Sequence, residues 1–400
     1  MRLRMASMLA AGCLCALAGC GGNSHWNGGN SPDLTRHYKI TDLGVLSQSS
    51  ASKRVTRDPN GSPPGLIDLG NSALTGLVGM RPVRINAAGQ VVGTIGSTAS
   101  GQIGAPVQGY VYSGGNITPI GTLGGSDSAA RAINSSGSIV GAAAISGTNE
   151  LHAVLDSNGQ MTDLGTLGGT FSVATAINSI GQITGYADVP TDSNNPMHIV
   201  PIHVFMYQGK LTDLGTLSGY SQSEPNDING SGQIVGTATR LPGDTGSQNL
   251  AGFISSNGTL QDLGSLGGPW TNANAINNAG QVVGLSATGP LDGQNPTGQL
   301  HPYLWQNGKM TDLGTLGGNH GIALGINNVG QIVGGSTTVP NSFYDHAFLW
   351  QNGLMVDLNT LIPGSSGWLL YAATDINDSG QIVGMGDING QIHGFLLTPQ

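Results

Sequence analysis

The dipeptide Ile-Asn returns seven times, with its Asn at 86, 134, 178, 229, 277, 327 and 377, so that the copies stand 48, 44, 51, 48, 50 and 50 residues apart. Each copy continues in the same way. Two residues pass, a Gly follows, and an apolar pair comes just after it, from Gly89-Gln90-Val91-Val92-Gly93 to Gly380-Gln381-Ile382-Val383-Gly384. A period of this size belongs to repeat architectures, where one supersecondary unit cannot bury its apolar face alone and must stack on its neighbours.

Two further strings share the period. The octamer His346-Ala347-Phe348-Leu349-Trp350-Gln351-Asn352-Gly353 has relatives beginning at His152, His203, His301 and His393. Thr-Asp-Leu-Gly carries its Asp at 163, 213, 262 and 312, with a variant at Asp357. One unit then reads as local structure. ALGIN (323–327) is strand a, and Asn327-Asn328-Val329-Gly330 is a tight turn with Gly supplying a positive φ. QIVGGS is strand b, and a variable loop leads to HAFLW, strand c. Gln306-Asn307-Gly308 is an Asn-Gly hairpin turn, and KMTDLGTL is strand d. Four short antiparallel strands per unit is the layout of a propeller blade. The expected fold is all-β: a seven-bladed β-propeller of four-stranded antiparallel blades.

Closure has its own signature. The chain stops at GFLLTPQ (394–400), a strand c with no strand d behind it, while YKITDLG (38–44) is a strand d with no blade before it. The expectation is a ring closed by an N-terminal strand, where an open array would need polar caps. Gly65-Leu66-Ile67-Asp68-Leu69-Gly70 is a second candidate for that strand, and the polar stretch 47–64 is either an insertion or part of the leader. The propeller would occupy 37–400, with the closing strand and insertion in 37–80 and the seven repeats in 81–400. Glycine, 67 of 400 residues, is spread through the turns of each unit and not at every third position, which excludes a collagen-like chain; charged residues at 9% are too few for a disordered polyelectrolyte.

The N-terminus carries an address. Arg2 and Arg4 precede an apolar run of small residues, too short to span a bilayer, that ends in Leu17-Ala18-Gly19-Cys20. This resembles the lipobox of bacterial lipoprotein signal peptides. The resemblance implies a leader over 1–19, acylation of Cys20 and anchoring in a membrane through that lipid, with 20–36 as a flexible tether. Gly21 where retained lipoproteins tend to have Asp implies the outer membrane or cell surface. The three cysteines are Cys13, Cys15 and Cys20, so no disulfide, zinc site or thiol nucleophile is expected beyond residue 20.

The HAF strings, the DLGTLGG strings and the IN..GQIVG strings together resemble the bacterial HAF-repeat extracellular protein family, over roughly 38–400. What that implies is secretion or surface attachment; no activity, cofactor or catalytic residue comes with it. The His is missing at Gln108-Gly109-Tyr110 and Ala251-Gly252-Phe253, so a blade does not depend on it.

Chemistry-bearing residues are sparse. The five repeat histidines (152, 203, 301, 346 and 393) fall one to a blade, too far apart to converge on one metal, and read as hydrogen-bonding groups within or between blades. The DLG aspartates read as acceptors for nearby backbone N–H groups. Asp227-Ile228-Asn229-Gly230-Ser231-Gly232 and Asp375-Ile376-Asn377-Asp378-Ser379-Gly380 faintly resemble calcium loops but lack the twelfth-position Glu. No nucleophile elbow, phosphate loop or dinucleotide fingerprint occurs. No catalytic residue, metal or cofactor is expected, and the chain does not read as an enzyme.

Charge adds to this. Without Arg2 and Arg4 the chain has eleven bases against 22 acids, near −11, a poor match to nucleic acid. Seven of those bases (Arg36, Lys39, Lys53, Arg54, Arg57, Arg81 and Arg84) cluster near the tether, where they either meet anionic lipid or balance the acidic body. Loops b–c vary and emerge with loops d–a on one face. There Phe171, Tyr220, Trp270, His320 and Trp368 are candidate ligand-face residues, fit to stack on a glycan or grip a peptide, or else to plug the gaps between blades. The function read from sequence is a monomeric envelope lipoprotein that displays a propeller as a binding or scaffold module. The alternative is a propeller hydrolase or lyase acting on an extracellular polysaccharide, which would need two carboxyls about 5–10 Å apart.

Overall fold

A computed structural model describes residues 37–45, 81–96, 107–148, 150–190, 200–241, 243–290, 299–340 and 345–400. In it the repeat resolves into seven four-stranded antiparallel blades. Blade I is Arg81–Ile85, Val91–Gly96, Val107–Ser113 and Asn116–Pro119, strands a to d in that order. Blades II to VI repeat the pattern, with strands a at Gly124–Ile133, Ser172–Ile177, Gln222–Ile228, Thr271–Ile276 and Gly321–Ile326. Blade VII takes strands a to c from Trp368–Ile376, Ile382–Ile388 and Gln391–Pro399. Its strand d comes from the other end of the chain. Tyr38–Val45 pairs antiparallel with Gln391–Pro399 from Tyr38↔Pro399 to Val45↔His393. Residues 38–44 thus close the ring, while the rival strand at 65–70 and the stretch 47–64 lie outside the described residues.

Each strand a touches the strands a on either side, including that of blade I against that of blade VII, so these strands line the axis. The core is divided among the slots between blades. Ala132, Val140 and Ala153 of blade II meet Ile177, Ile183 and Phe205 of blade III, and Leu43, Val383 and Leu396 of blade VII meet Ile85 and Val91 of blade I. A blade is therefore a sheet buried on both faces, which is why its strands read as apolar runs.

Seven side chains fasten the strands a to one another. Asn86 donates through Nδ2 to the backbone carbonyl of Asn134 at 3.0 Å, and Asn134 does the same to Asn178 at 3.3 Å. The series continues through Asn229, Asn277, Asn327 and Asn377, and Asn377 returns to the carbonyl of Asn86 at 3.0 Å. The same residue builds its own turn. Asn327 Oδ1 accepts from the N–H of Gln331 at 2.9 Å, its Nδ2 also donates to Gln331 Oε1 at 2.8 Å, and Gly330 completes the turn at φ 82°. Asparagine has the two donors and the acceptor that this double task requires.

Strand b needs its glycine for a different reason. Gly185, Gly236, Gly284, Gly334 and Gly384 lie opposite Phe205, Phe253, Tyr303, Phe348 and Phe395 of strand c. A Cβ at Gly334 would overlap the carbonyl oxygen of Ile322 and press on the Phe348 ring. A bulge in strand a brings that carbonyl close: the register shifts between Ala323 and Gly325, and at the matching place in every blade. Parallel bridges such as Leu250↔Trp270 and Leu300↔His320 join the start of strand c to the residue before the next strand a. Loops b–c and d–a accordingly share one face, the loop face. Turns a–b and c–d share the other, the turn face.

Candidate functional site: the channel and the loop face

The residue just before each Ile-Asn lies past the bulge of strand a. In four blades it is small: Ala132, Ala176, Ala275 and Gly325. In blades I, IV and VII it is Arg84, Asp227 and Asp375. Arg84 Nη2 donates to the backbone carbonyl of Asn226 at 3.2 Å. Blade IV is three places round the ring from blade I, so this side chain crosses the channel. Asp375 accepts from the N–H of Ile85 at 2.9 Å, and Asp227 from that of Ile276 at 3.0 Å, each reaching into the next blade.

The three charges interact. Burial pushes the Asp375 carboxyl up to about 6, with Arg84 opposing the shift and Asp227 adding to it. Burial likewise raises Asp227, against the pull of Arg84. The result is a half-buried guanidinium between two carboxyls, one of which takes up a proton in weakly acidic solution. This corrects the grouping of Arg84 with the basic entry segment: its charge is committed to the channel and does not face lipid. It also gives the two calcium-like strings another role. Asp227 and Asp375 serve the channel, and Asn229 and Asn377 serve the ring; among the described residues no three His, Cys, Asp or Glu side chains gather as a metal site.

Sequence reasoning missed this trio, although the column of residues preceding Ile-Asn contains it. Three charges in a column otherwise held by Ala and Gly were the available signal.

The repeat histidines are engaged within their own blades. His152, His203, His301 and His346 hold the carboxylates of Asp163, Asp213, Asp312 and Asp357 through Nδ1, at 2.6–3.0 Å, and His393 holds that of Asp42 at 2.8 Å across the closure. Each Asp also accepts a backbone N–H two residues on, as Asp312 does from Gly314 at 2.8 Å. In blade IV, which has no His, Gln248 Nε2 approaches Asp262 at 3.4 Å.

The five loop-face candidates sit at the slots between blades. Phe171 packs on Tyr186, ring centroids 5.8 Å apart, beside Ala142 of the preceding blade. Tyr220 is buried, and its hydroxyl donates to the carbonyl of Gln248 while accepting that residue's N–H, both at 3.2 Å. Trp270 packs against Leu285, Ala287 and Leu300, and its Nε1 is buried with no hydrogen-bond partner among the described residues. His320 accepts the N–H of Leu300 through Nδ1 at 3.4 Å, and burial, with His301 nearby, lowers its pKa. Trp368 stands edge-on to His393 and Phe395, at 5.9 and 6.2 Å. Phe171, Trp270 and His320 are joined to the preceding blade by parallel bridges, and Tyr220 and Trp368 pack in core clusters shared with the blade before them. The described loop-face acids do similar service: Asp188 accepts the N–H of Phe171 at 2.7 Å, and Asp244 that of Ser221 at 2.9 Å.

No family model and no curated protein matches the chain. Among solved structures it is similar to the acylaminoacyl peptidase of Pyrococcus horikoshii at 8% identity and a TM-score of 0.49, covering 80% of this chain and 51% of that one. It is similar to the β-propeller domain of the Trilobed protease from Pyrococcus furiosus at 10% identity and 0.36, covering 70% and 97%. Trypanosoma rangeli sialidase aligns at 10% identity and 0.38, covering 92% and 60%. The chain spans about half the length of the peptidase.

Proposed function

We propose that the protein is a cell-envelope lipoprotein of the HAF-repeat kind, acylated at Cys20 and held at the outer membrane or cell surface, whose propeller serves as a binding or scaffold module. The observation that carries the scaffold reading is the commitment of the repeat side chains. The His–Asp pairs, the Asn ring and the loop-face rings all bond or pack within the propeller, and such groups rigidify a platform without offering free reactive atoms. On this reading a glycan or peptide ligand is met by the b–c loops. Two measurements test it. Mass spectrometry of the chain from membranes is expected to find acyl chains on Cys20, and Cys20→Ala is expected to release the protein from them. A screen of the non-acylated chain against glycan and peptidoglycan fragments is expected to give binding without turnover; turnover of any fragment would replace the reading.

One observation favours the hydrolase or lyase alternative. Asp227 and Asp375 bring two carboxyls to one enclosure, with one of them pushed towards neutral pH, the arrangement general acid–base chemistry uses. Under that reading, Asp375→Asn would abolish polysaccharide cleavage with the fold intact. Under the scaffold reading there is no cleavage to abolish.

A further inference from the structure

The ends of the strands give the propeller two unlike faces. Tyr38–Val45 begins opposite Pro399, where strand c of blade VII ends, so the chain enters the ring on the turn face. Gln400 ends there too, its N–H donating to the carbonyl of His37 at 3.0 Å. Whatever anchors the chain ahead of residue 37 therefore pulls on the turn face.

That face carries the exposed lysines of the described residues. The turn-face end of strand d carries a lysine in three blades: Lys210 just ahead of the first pair, Tyr207↔Leu211, in blade III, Lys309 at the first pair in blade V, and Lys39 at the second pair in blade VII. All three are exposed. Against them stand Asp156, which is buried and accepts the N–H of Gly159 at 2.8 Å, and Asp378, which is exposed and accepts from both the N–H and the side-chain amide of Asn328, at 2.8 and 2.9 Å. Among the described residues the balance reverses on the loop side, with Asp127, Glu150, Asp188, Asp244 and Asp387 against Arg240. The turn face also shows the two most exposed large apolar residues among those described, Ile180 at 71% and Val329 at 65%, both at the third position of an a–b turn.

We propose that the turn face is a docking surface for a phospholipid bilayer with anionic headgroups, and that the loop face points away from it. The proposal rests on the acylated-lipoprotein reading for its anchor. Lysines on one rim match anionic headgroups, the acidic loop face is repelled by them, and Ile180 and Val329 add apolar contact at the headgroup level. The lipid supplies retention; the face supplies orientation.

Two experiments separate the face from the anchor. The first uses the chain from residue 20 onward with Cys20→Ser, hence no lipid, and vesicles of phosphatidylcholine with or without phosphatidylglycerol. Binding is expected only to the anionic vesicles and is expected to weaken with salt. It should fall roughly fivefold for each of Lys39→Gln, Lys210→Gln and Lys309→Gln, while Arg240→Gln leaves it nearly unchanged. Equal binding by the triple variant, or no anionic preference, overturns the proposal whatever the state of Cys20. The second places a fluorophore on Ile180→Cys or Val339→Cys in the acylated protein and uses lipid-borne quenchers. Quenching at 180 and not at 339 is expected; equal or reversed quenching overturns it. Absence of acyl chains on Cys20 would remove the anchor reading and leave the first experiment standing.

Discussion

Asn377 donates through its side-chain amide to the backbone carbonyl of Asn86, 291 positions earlier in the chain, at 3.0 Å. The bond is the last link of a ring whose other six links each join adjacent repeats; it has the same donor and acceptor groups as they do and falls within their 3.0–3.3 Å range. Closure is thus made twice, by this bond at the axis and by Tyr38–Val45 at the rim. Replacing Asn377 with Ala removes the link to Asn86 and the bonds to Gln381, leaving a buried carbonyl without its partner. The expected loss is about 2–4 kcal/mol, read from urea midpoints. Asn377→Asp, which keeps the acceptor and loses the donor, is expected to cost nearly as much.

Gly334 and Gly289 make a matched pair. A Cβ at 334 overlaps the Ile322 carbonyl, whereas one at 289 meets nothing within 4 Å. Gly334→Ala is expected to destabilise by roughly 2 kcal/mol or more, because a bulged backbone must move. Gly289→Ala is expected to lie within about 0.5 kcal/mol of the parent.

The pH dependence follows from Asp375. Its carboxyl rises from 3.8 unfolded to about 6 folded, so between those values the folded protein holds the proton and the unfolded chain does not. Stability contributed by that proton is present below about pH 4 and is lost as pH climbs through 6. Asp375→Asn keeps an oxygen for the N–H of Ile85 and removes the charge. The variant is expected to be more stable than the parent at pH 7, on the order of 2 kcal/mol, and the gap is expected to close on acidification to pH 4. Denaturation of both proteins across this range checks the sign; a gap that widens in acid would refute the assignment.

The His–Asp pairs at the blade surface are expected to be weak. His301→Ala is expected to cost at most about 1 kcal/mol, the range of half-exposed ion pairs. Asp312→Ala is expected to cost more, since the N–H of Gly314 loses its acceptor as well. A double-mutant cycle separates the pair from the cap.

Trp270 distinguishes packing from recognition. Its Nε1 makes no hydrogen bond among the described residues, so Trp270→Phe is expected to lose about 1 kcal/mol or less, and Trp270→Ala about 3 kcal/mol. Thermal unfolding of the two variants measures the difference.

How far the sequence disclosed this molecule depends on the range of each interaction. The Asn turns, the Asn-Gly hairpins and the DLG caps are local, and all were readable; Asn307 and Asn352 indeed adopt φ of 52°. Strand d was read too long. KMTDLGTL keeps only Lys309–Asp312 in the ladder; Leu313 still donates to the carbonyl of Pro302 at 3.0 Å, and the chain leaves strand c at Gly314, whose N–H Asp312 accepts. The ring bonds were hidden, since an Asn that fits a turn gives no sign of its second task. The channel trio was hidden more deeply. Arg84 meets Asn226 only because three blades separate them, a relation that the period of the repeat does not encode. The pairing of 38–44 with the C-terminal strand was anticipated as one of two choices, and burial of Tyr38 and Leu43 between blades shows what favours it.

The Asn ring is indifferent to number. Any repeat presents the same amide and the same carbonyl, so a gene that gained or lost one whole unit would still make sound joints all the way round. Arg84, Asp227 and Asp375 are not indifferent. They balance only when the first, fourth and seventh units stand where they do, and a ring of six or eight would set the arginine facing a different wall. The joints let this molecule be copied by the unit; the charges at its axis keep the count.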